Sequence, residues 1–182
     1  MHIVIAADHN GVVLKGRLAA WLAAHGHTVD DRGAYGDAEQ IVDYPPLCAD
    51  VCWQVTNGPA DRGIVLGGSG LGETIACNKL PGVRAGLCHD LWSTRISRGN
   101  NDSNVLVLAA KVLAPEAAEE IVATWLETPF KGGIHQRRLD QIEAIERGGG
   151  GGGGGEHPPP PPHDPPPRPH PGPRRAGCLE IE

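Results

Sequence analysis

The sequence predicts an α/β protein built on an open, five-stranded parallel sheet with helices on both faces. Three observations predict it. Continuously apolar runs recur along the chain: Ile3-Val4-Ile5-Ala6-Ala7, Ile64-Val65-Leu66 and Val105-Leu106-Val107-Leu108-Ala109-Ala110. Such runs suit strands buried on both faces, the condition of a parallel sheet. Segments of helical period alternate with them, as they do where helices form the crossovers. Finally, a glycine-rich turn, Gly67-Gly68-Ser69-Gly70-Leu71-Gly72, stands between an apolar run and a helix start.

The elements follow in order. His2 to Asp8 is the first strand, and Asp8-His9-Asn10-Gly11 is the loop at its carboxyl end. Val12 to His25 is an amphipathic helix with Leu14, Leu18, Trp21 and Leu22 at helical spacing, stopped by Gly26. Thr28 to Arg32 is the second strand, and Gly33 to Tyr44 a loop. Pro45 fits the first turn of a helix that runs to Thr56, where Asn57-Gly58-Pro59 breaks it. The third strand, Gly63 to Leu66, runs into the glycine turn, and Thr74 to Lys79 is helical up to Pro81-Gly82. Val83 to Cys88 is the fourth strand, Leu91 to Arg98 a helix, Gly99 to Asp102 a turn, and Val105 to Ala110 the fifth strand. Helices at Pro115–Leu126 and Gln136–Arg147 close the domain.

The chain has 182 residues, of which 1–147 read as one domain with its own core. From Gly148, eight glycines lead into a proline-dominated stretch with His157, His163 and His170. This segment, 148–182, has almost nothing apolar to bury and is expected to be disordered, with local polyproline II character. It reads as a solvated extension, as a ligand for an aromatic groove on a partner, or as a weak histidine metal site. The net charge of −6 argues against nucleic acid as the main partner. Five cysteines occur without a C-x-x-C, and Cys48 and Cys52 lie one helical turn apart, as on a buried face. Reduced thiols and a cytoplasmic protein are expected. No signal peptide and no membrane-spanning stretch is apparent.

In a parallel sheet ligands gather at the carboxyl ends of the strands. That rule collects Asp8 and His9, Asp43 and Tyr44, Ser69 and Glu73, His89 and Asp90, and Lys111 into a polar pocket. The glycines let the backbone turn sharply and aim its N–H groups at an anion, and a helix start adds the positive end of its dipole. Glu73 falls in that helix's first turn, where its pKa is expected to be held down. Hydroxyl, oxyanion cradle and carboxylate suit proton abstraction beside a carbonyl. A purely structural loop and a dinucleotide loop stay open. Asp90, about 20 residues on, favours the latter. Against it, the glycines run G-x-G-x-G with Glu73 where the third glycine should fall, and the loop follows the third strand. No H-E-x-x-H or paired-histidine pattern supplies a metal, and no cofactor is expected.

Six segments together resemble the ribose-5-phosphate isomerase B family, which includes galactose-6-phosphate isomerase. They are Ala7–Gly11, Val42–Pro45, Gly63–Glu73, Ala76–Ala85, Asn101–Leu106 and His135–Arg138, in unbroken order over residues 1 to about 147. The resemblance implies a Rossmann-like three-layer sandwich and metal-free aldose–ketose isomerisation. It also implies a homodimer or homotetramer whose active sites borrow residues from the neighbouring subunit. The family's base is either a cysteine at the start of the glycine loop or a glutamate at its end. With Gly67 at the first place and Glu73 at the second, this chain resembles the glutamate branch. The resemblance assigns Ser69 and the backbone of Gly68, Gly70, Leu71 and Gly72 to the substrate oxygens. It assigns Asp8, Tyr44, Asn100 and Asn101 to the sugar, and His9, Lys111 and Arg138 to the phosphate.

Three positions depart from the family pattern. Asn100 replaces a histidine assigned to opening the furanose ring, and an amide cannot exchange a proton near neutral pH. Relatives acting on four-carbon sugar phosphates are similar in having asparagine there. Ile134 replaces a phosphate-binding arginine, and Lys111 gives a point charge where a bidentate fork is usual. All three lie around the ring and phosphate, and none touches the base. The expectation is isomerisation of ribose 5-phosphate. The alternatives are a tetrulose 4-phosphate or other open-chain sugar, and a non-catalytic sugar-phosphate binding protein.

Overall fold

The structure, a computed structural model, describes residues 1–36 and 40–149. The elements are β1 (His2–Ala7), α1 (Val12–Ala24), β2 (Thr28–Asp31), α2 (Tyr44–Thr56), β3 (Arg62–Gly67) and α3 (Leu71–Cys77), followed by β4 (Ala85–Leu87), α4 (Leu91–Gly99), β5 (Val105–Ala109), α5 (Pro115–Glu127) and α6 (Ile134–Gly149). The five strands form one parallel sheet in the order β2-β1-β3-β5-β4.

Strand alternation divides the apolar residues between two cores. Ile3, Ile5, Ile64, Leu66, Leu106 and Leu108 point to the face covered by α1, α4 and α5, where Leu18, Leu22, Ile121 and Trp125 meet them. Val4, Ala6, Val65, Val105 and Val107 point to the other face, against Cys48, Val51 and Cys52 of α2 and Cys77 of α3. The helix–sheet–helix sandwich expected from the sequence is present, and Cys48 and Cys52 take the buried face. A buried polar chain locks the first layer: Trp125 Nε1 donates to Ser103 Oγ (2.8 Å), and Ser97 Oγ donates to the same oxygen (2.7 Å).

Three elements differ from the sequence reading by two residues or more at an end, one of them α6, which runs Ile134–Gly149 rather than Gln136–Arg147. Helix α3 begins at Leu71 rather than Thr74, because Gly70 adopts a left-handed conformation (φ 74°) that turns the chain directly into the helix. Strand β4 shrinks to Ala85–Leu87, because side chains take the backbone groups beside it. Asn104 Oδ1 accepts from the Arg84 N–H (2.8 Å), and Asn78 both accepts from the Ala85 N–H (2.9 Å) and donates to the Ala85 carbonyl (3.0 Å). Asn78 thereby closes part of an exposed sheet edge.

Helix α6 is anchored by the buried Leu139 and by Glu146, whose Oε1 accepts from the Gly82 N–H (3.0 Å), while Ile142 and Ile145 remain exposed. Among the described residues, no helix is long and apolar enough to cross a membrane. The tail expected to be disordered from Gly148 is corrected at its start, since Gly148 and Gly149 continue helix α6; the rest lies outside the described residues from position 150 onward.

Candidate active site

From β1 the sheet continues to β2 on one side and to β3 on the other. The crevice outside the carboxyl ends of β1 and β3 is therefore the topological switch point, where α/β sheets bind ligands. The glycine loop leaves β3 into this crevice. Asp8 leaves β1 there, its N–H donating to the Leu66 carbonyl (3.0 Å).

Asp8 is 5% exposed, and its two carboxylate oxygens accept from the Asn10 backbone N–H (2.9 Å) and the Asn10 side-chain amide (2.8 Å). Asn10 also approaches His9 Nε2 (3.2 Å), and the Val42 N–H donates to His9 Nδ1 (3.3 Å), tying the loop after β2 to the loop after β1. The sequence reading gave Asn10 no role. Its Asp-x-Asn spacing, which allows a side chain to bond two residues on, was the available signal.

Glu73 lies in the first turn of α3 and is 3% exposed. Its side chain folds back over the loop, so that a Cβ on Gly67 would land inside the Glu73 carboxylate. Only glycine leaves that space. Burial pushes the Glu73 carboxyl above its ordinary value, its own backbone N–H pulls the other way, and the charge of Asp8 adds to the rise. The expectation of a lowered pKa is thus corrected, because desolvation outweighs the helix terminus.

Tyr44, at the start of α2, sets its hydroxyl 2.5 Å from where a Cβ on Gly72 would be. Ser69 is exposed, and its Oγ accepts from the Leu71 N–H (3.3 Å). Among the described residues no backbone acceptor takes the N–H of Gly70 or Gly72. The Ala110 N–H donates to the Gly67 carbonyl (2.8 Å) and the Lys111 N–H to the Gly68 carbonyl (3.1 Å), which places the exposed Lys111 beside the loop. Asp8, His9, Tyr44, Gly68, Ser69, Gly70, Leu71, Gly72, Glu73 and Lys111 are therefore gathered at one edge of the sheet.

The other predicted residues are not among them. Asn100 and Asn101 lie between α4 and β5, at the amino edge of the parallel sheet, opposite the glycine loop. Asn100 Oδ1 accepts from Lys131 Nζ (3.0 Å). Asn101 lines a groove of about 760 Å³ between α6 and β4. Arg138 is exposed on α6. Asp90, which a dinucleotide would require for its ribose, instead caps α4 by accepting from the Ser93 N–H (2.8 Å). Among the described residues, no group of three or more His, Cys, Asp or Glu side chains is placed to hold a metal.

A sequence model of the ribose/galactose isomerase family matches residues 3–142, which include the whole glycine loop and both asparagines. The chain belongs to the ribose/galactose isomerase family. Within this family, it is 39% identical over 145 residues to ribose-5-phosphate isomerase B of Escherichia coli, covering 80% of this chain and 96% of that protein. It is 34% identical over 146 residues to the D-erythrulose-4-phosphate isomerase of Pectobacterium atrosepticum, covering 80% and 95%. The solved structure of Clostridium thermocellum ribose-5-phosphate isomerase B superposes with a TM-score of 0.79 at 42% identity, covering 81% of this chain and 99% of that one. The family fold is thus the parallel sandwich described above, and the resemblance read from the six segments holds.

Proposed function

We propose that this isomerase interconverts an aldose phosphate and a ketose phosphate through a cis-enediolate, with ribose 5-phosphate and ribulose 5-phosphate as the pair. The observation that carries the reading is the buried Glu73, folded over Gly67 beside Asp8 with a carboxyl above its ordinary value. A carboxylate tuned upward is a stronger base, and the best general base has a pKa close to the working pH. Glu73 takes the proton from C2 of the open-chain aldose, and the electron pair moves into the C1–C2 bond. The C1 carbonyl π pair moves onto the C1 oxygen, where the N–H groups of Gly70 and Gly72 and the Ser69 hydroxyl stabilise the negative charge. One such donor is worth about 3 kcal/mol of barrier. The C2 hydroxyl proton passes to the C1 oxygen, Glu73 returns its proton to C1, and the C2 oxygen becomes the ketose carbonyl. Asp8 and Tyr44 hold the sugar hydroxyls, and His9 and Lys111 face the phosphate. Asn100, Asn101 and Arg138 sit on the far edge of the same chain, so they serve the site of a second copy in a homodimer or a dimer of dimers. The expected location is the cytoplasm.

A four-carbon substrate is the second reading, favoured by one observation. Asn100 stands where the family pattern has an acid–base histidine, and its Oδ1 is engaged by Lys131. A tetrulose 4-phosphate cannot close a furanose ring through its phosphorylated hydroxyl and needs no ring opening. The test is kcat/KM on ribose 5-phosphate and on erythrulose 4-phosphate, with Glu73→Gln as the blank. Higher kcat/KM on the pentose supports the first reading. A tenfold advantage for the tetrose, about 1.4 kcal/mol of differential transition-state binding, supports the second. Glu73→Gln should lose about 10²–10⁴-fold in kcat while still binding substrate. Unchanged turnover would remove Glu73 as the base, and binding without turnover in the parent chain would make this a binding protein.

A further inference from the structure

Helix α2 and the loop between α3 and β4 enclose a second groove, of about 620 Å³, away from the glycine loop. Trp53, Thr56 and Asn57 form one wall, and Leu80, Pro81 and Gly82 the other. Trp53, on this wall, is 55% exposed, in contrast to the fully buried Trp125 and to Trp21, which stacks on His25 at 3.9 Å. Asn57 Nδ2 donates to Thr56 Oγ1 (2.8 Å), and among the described residues no acceptor takes the second hydrogen of that amide.

The end of α6 lies at this groove. Glu146 accepts from the N–H of Gly82, a wall residue, and the helix ends within one further turn at Gly149. The chain then continues through Gly150–Gly155, Glu156 and His157 to the run Pro158–Pro162. Nine residue steps of glycine-rich chain span roughly 15–18 Å on average, which places the first proline within reach of the groove. A proline run is pre-set as a polyproline II helix, loses little entropy on docking, and offers unpaired carbonyls with ring ridges at a three-residue period. Aromatic grooves with a few donors on the rim recognise that shape.

We propose that Pro158–Pro162 of the same chain docks in the groove between α2 and the α3–β4 loop, with its rings against Trp53 and Pro81. The short tether supplies an effective concentration in the millimolar range, so even a weak proline contact is substantially occupied. The inference is independent of the catalytic reading.

The test compares the full chain with a full chain in which the five prolines 158–162 are serine, by ¹H–¹⁵N correlation spectra. Trp53→Phe in the full chain assigns the Trp53 indole signal. Replacing the prolines should move the Trp53 indole and the amides of Leu80 and Gly82, leave the Trp92 and Trp125 indoles in place, and give the same shifts at every protein concentration. Identical spectra for the two chains would overturn the proposal. Shifts at the groove that grow with protein concentration would also overturn it, and would assign the groove to a second copy.

Discussion

Glu73 is held in a place that disfavours its charge, and that placement has consequences at single residues. A methyl at position 67 would occupy the volume of the Glu73 carboxylate. Gly67→Ala is therefore expected to swing the base out of the crevice and reduce kcat by about 10²-fold or more, the scale of loss for a displacement near 1 Å. Its melting temperature should change little, because the displaced carboxylate can move to solvent. The raised carboxyl also sets a pH dependence. Its folded pKa lies above the unfolded value, so burial of the neutral acid contributes stability that is present below the ordinary 4.5 and lost as pH rises through the folded value. Above that window the ionised, buried carboxylate is a standing cost. Glu73→Gln should accordingly melt higher than the parent near pH 7, and the difference should close towards about pH 4. In kinetics, the acid limb of kcat/KM should titrate above the usual glutamate range. Equal melting curves across this range would show that Glu73 is not destabilised by its setting. The identity of Glu73 was legible in the sequence from its place at the end of the glycine loop. The direction of its pKa was not, because the sequence shows a helix start but not the burial beside Asp8 that overrides it.

The elements that carry these residues were legible to different degrees for physical reasons. Continuous apolar runs and helical spacing marked the strands and most of the helices, since burial on both faces leaves that imprint. The short β4 was over-extended because its limits are set by Asn78 and Asn104, side chains whose bonds to Ala85 and Arg84 span 7 and 20 residues. The turn between α4 and β5 is similarly fixed from a distance. Asp102, at φ 45°, accepts from Arg84 Nη2 (2.9 Å) and from Arg98 Nη1 (2.8 Å), and Arg98 is only 5% exposed. Arg62 nearby is pulled below its ordinary value by burial and then by the charge of Arg98. Asp102, with Asp61 beside Arg62, thus balances a cluster of three guanidinium groups. Asp102→Asn tolerates the left-handed backbone but removes the charge, leaving Arg98 buried and uncompensated. The expected loss is about 2–3 kcal/mol in urea unfolding, below the full cost of breaking a buried pair because Asp102 itself is partly solvated. KM should rise with it if Asn100 and Asn101 on the same turn hold the sugar, as the proposed function has it. An unchanged unfolding midpoint would assign the cluster no stabilising role.

At the scale of the whole molecule, the parallel sheet imposes a separation that the list of site residues conceals. In a parallel sheet all carboxyl ends share one edge, so a residue preceding β5 cannot stand beside a loop that follows β3. Glu73 and Asp8 therefore occupy one edge, and Asn100 and Asn101 the other. A sugar phosphate shorter than the sheet is deep cannot touch both sets on one chain. The proposed symmetric pair resolves this if its two-fold axis sets the amino edge of each copy against the carboxyl edge of its partner. The exposed Ile142 and Ile145 of α6 and the 760 Å³ groove beneath it offer apolar surface for such a contact. Complementation tests this directly. Glu73→Gln lacks the base, and the double variant Asn101→Asp, Arg138→Glu lacks the set offered to a partner; each alone is expected to be inactive. In a mixed dimer, one site combines both defects, while the other pairs an intact Glu73 with intact Asn101 and Arg138. Co-expression in equal amounts makes half the dimers mixed, so activity should return to about one quarter of the wild-type value per chain. A site contained within one chain would give no recovery at any ratio, because no chain in the mixture carries both an intact base and an intact amino edge.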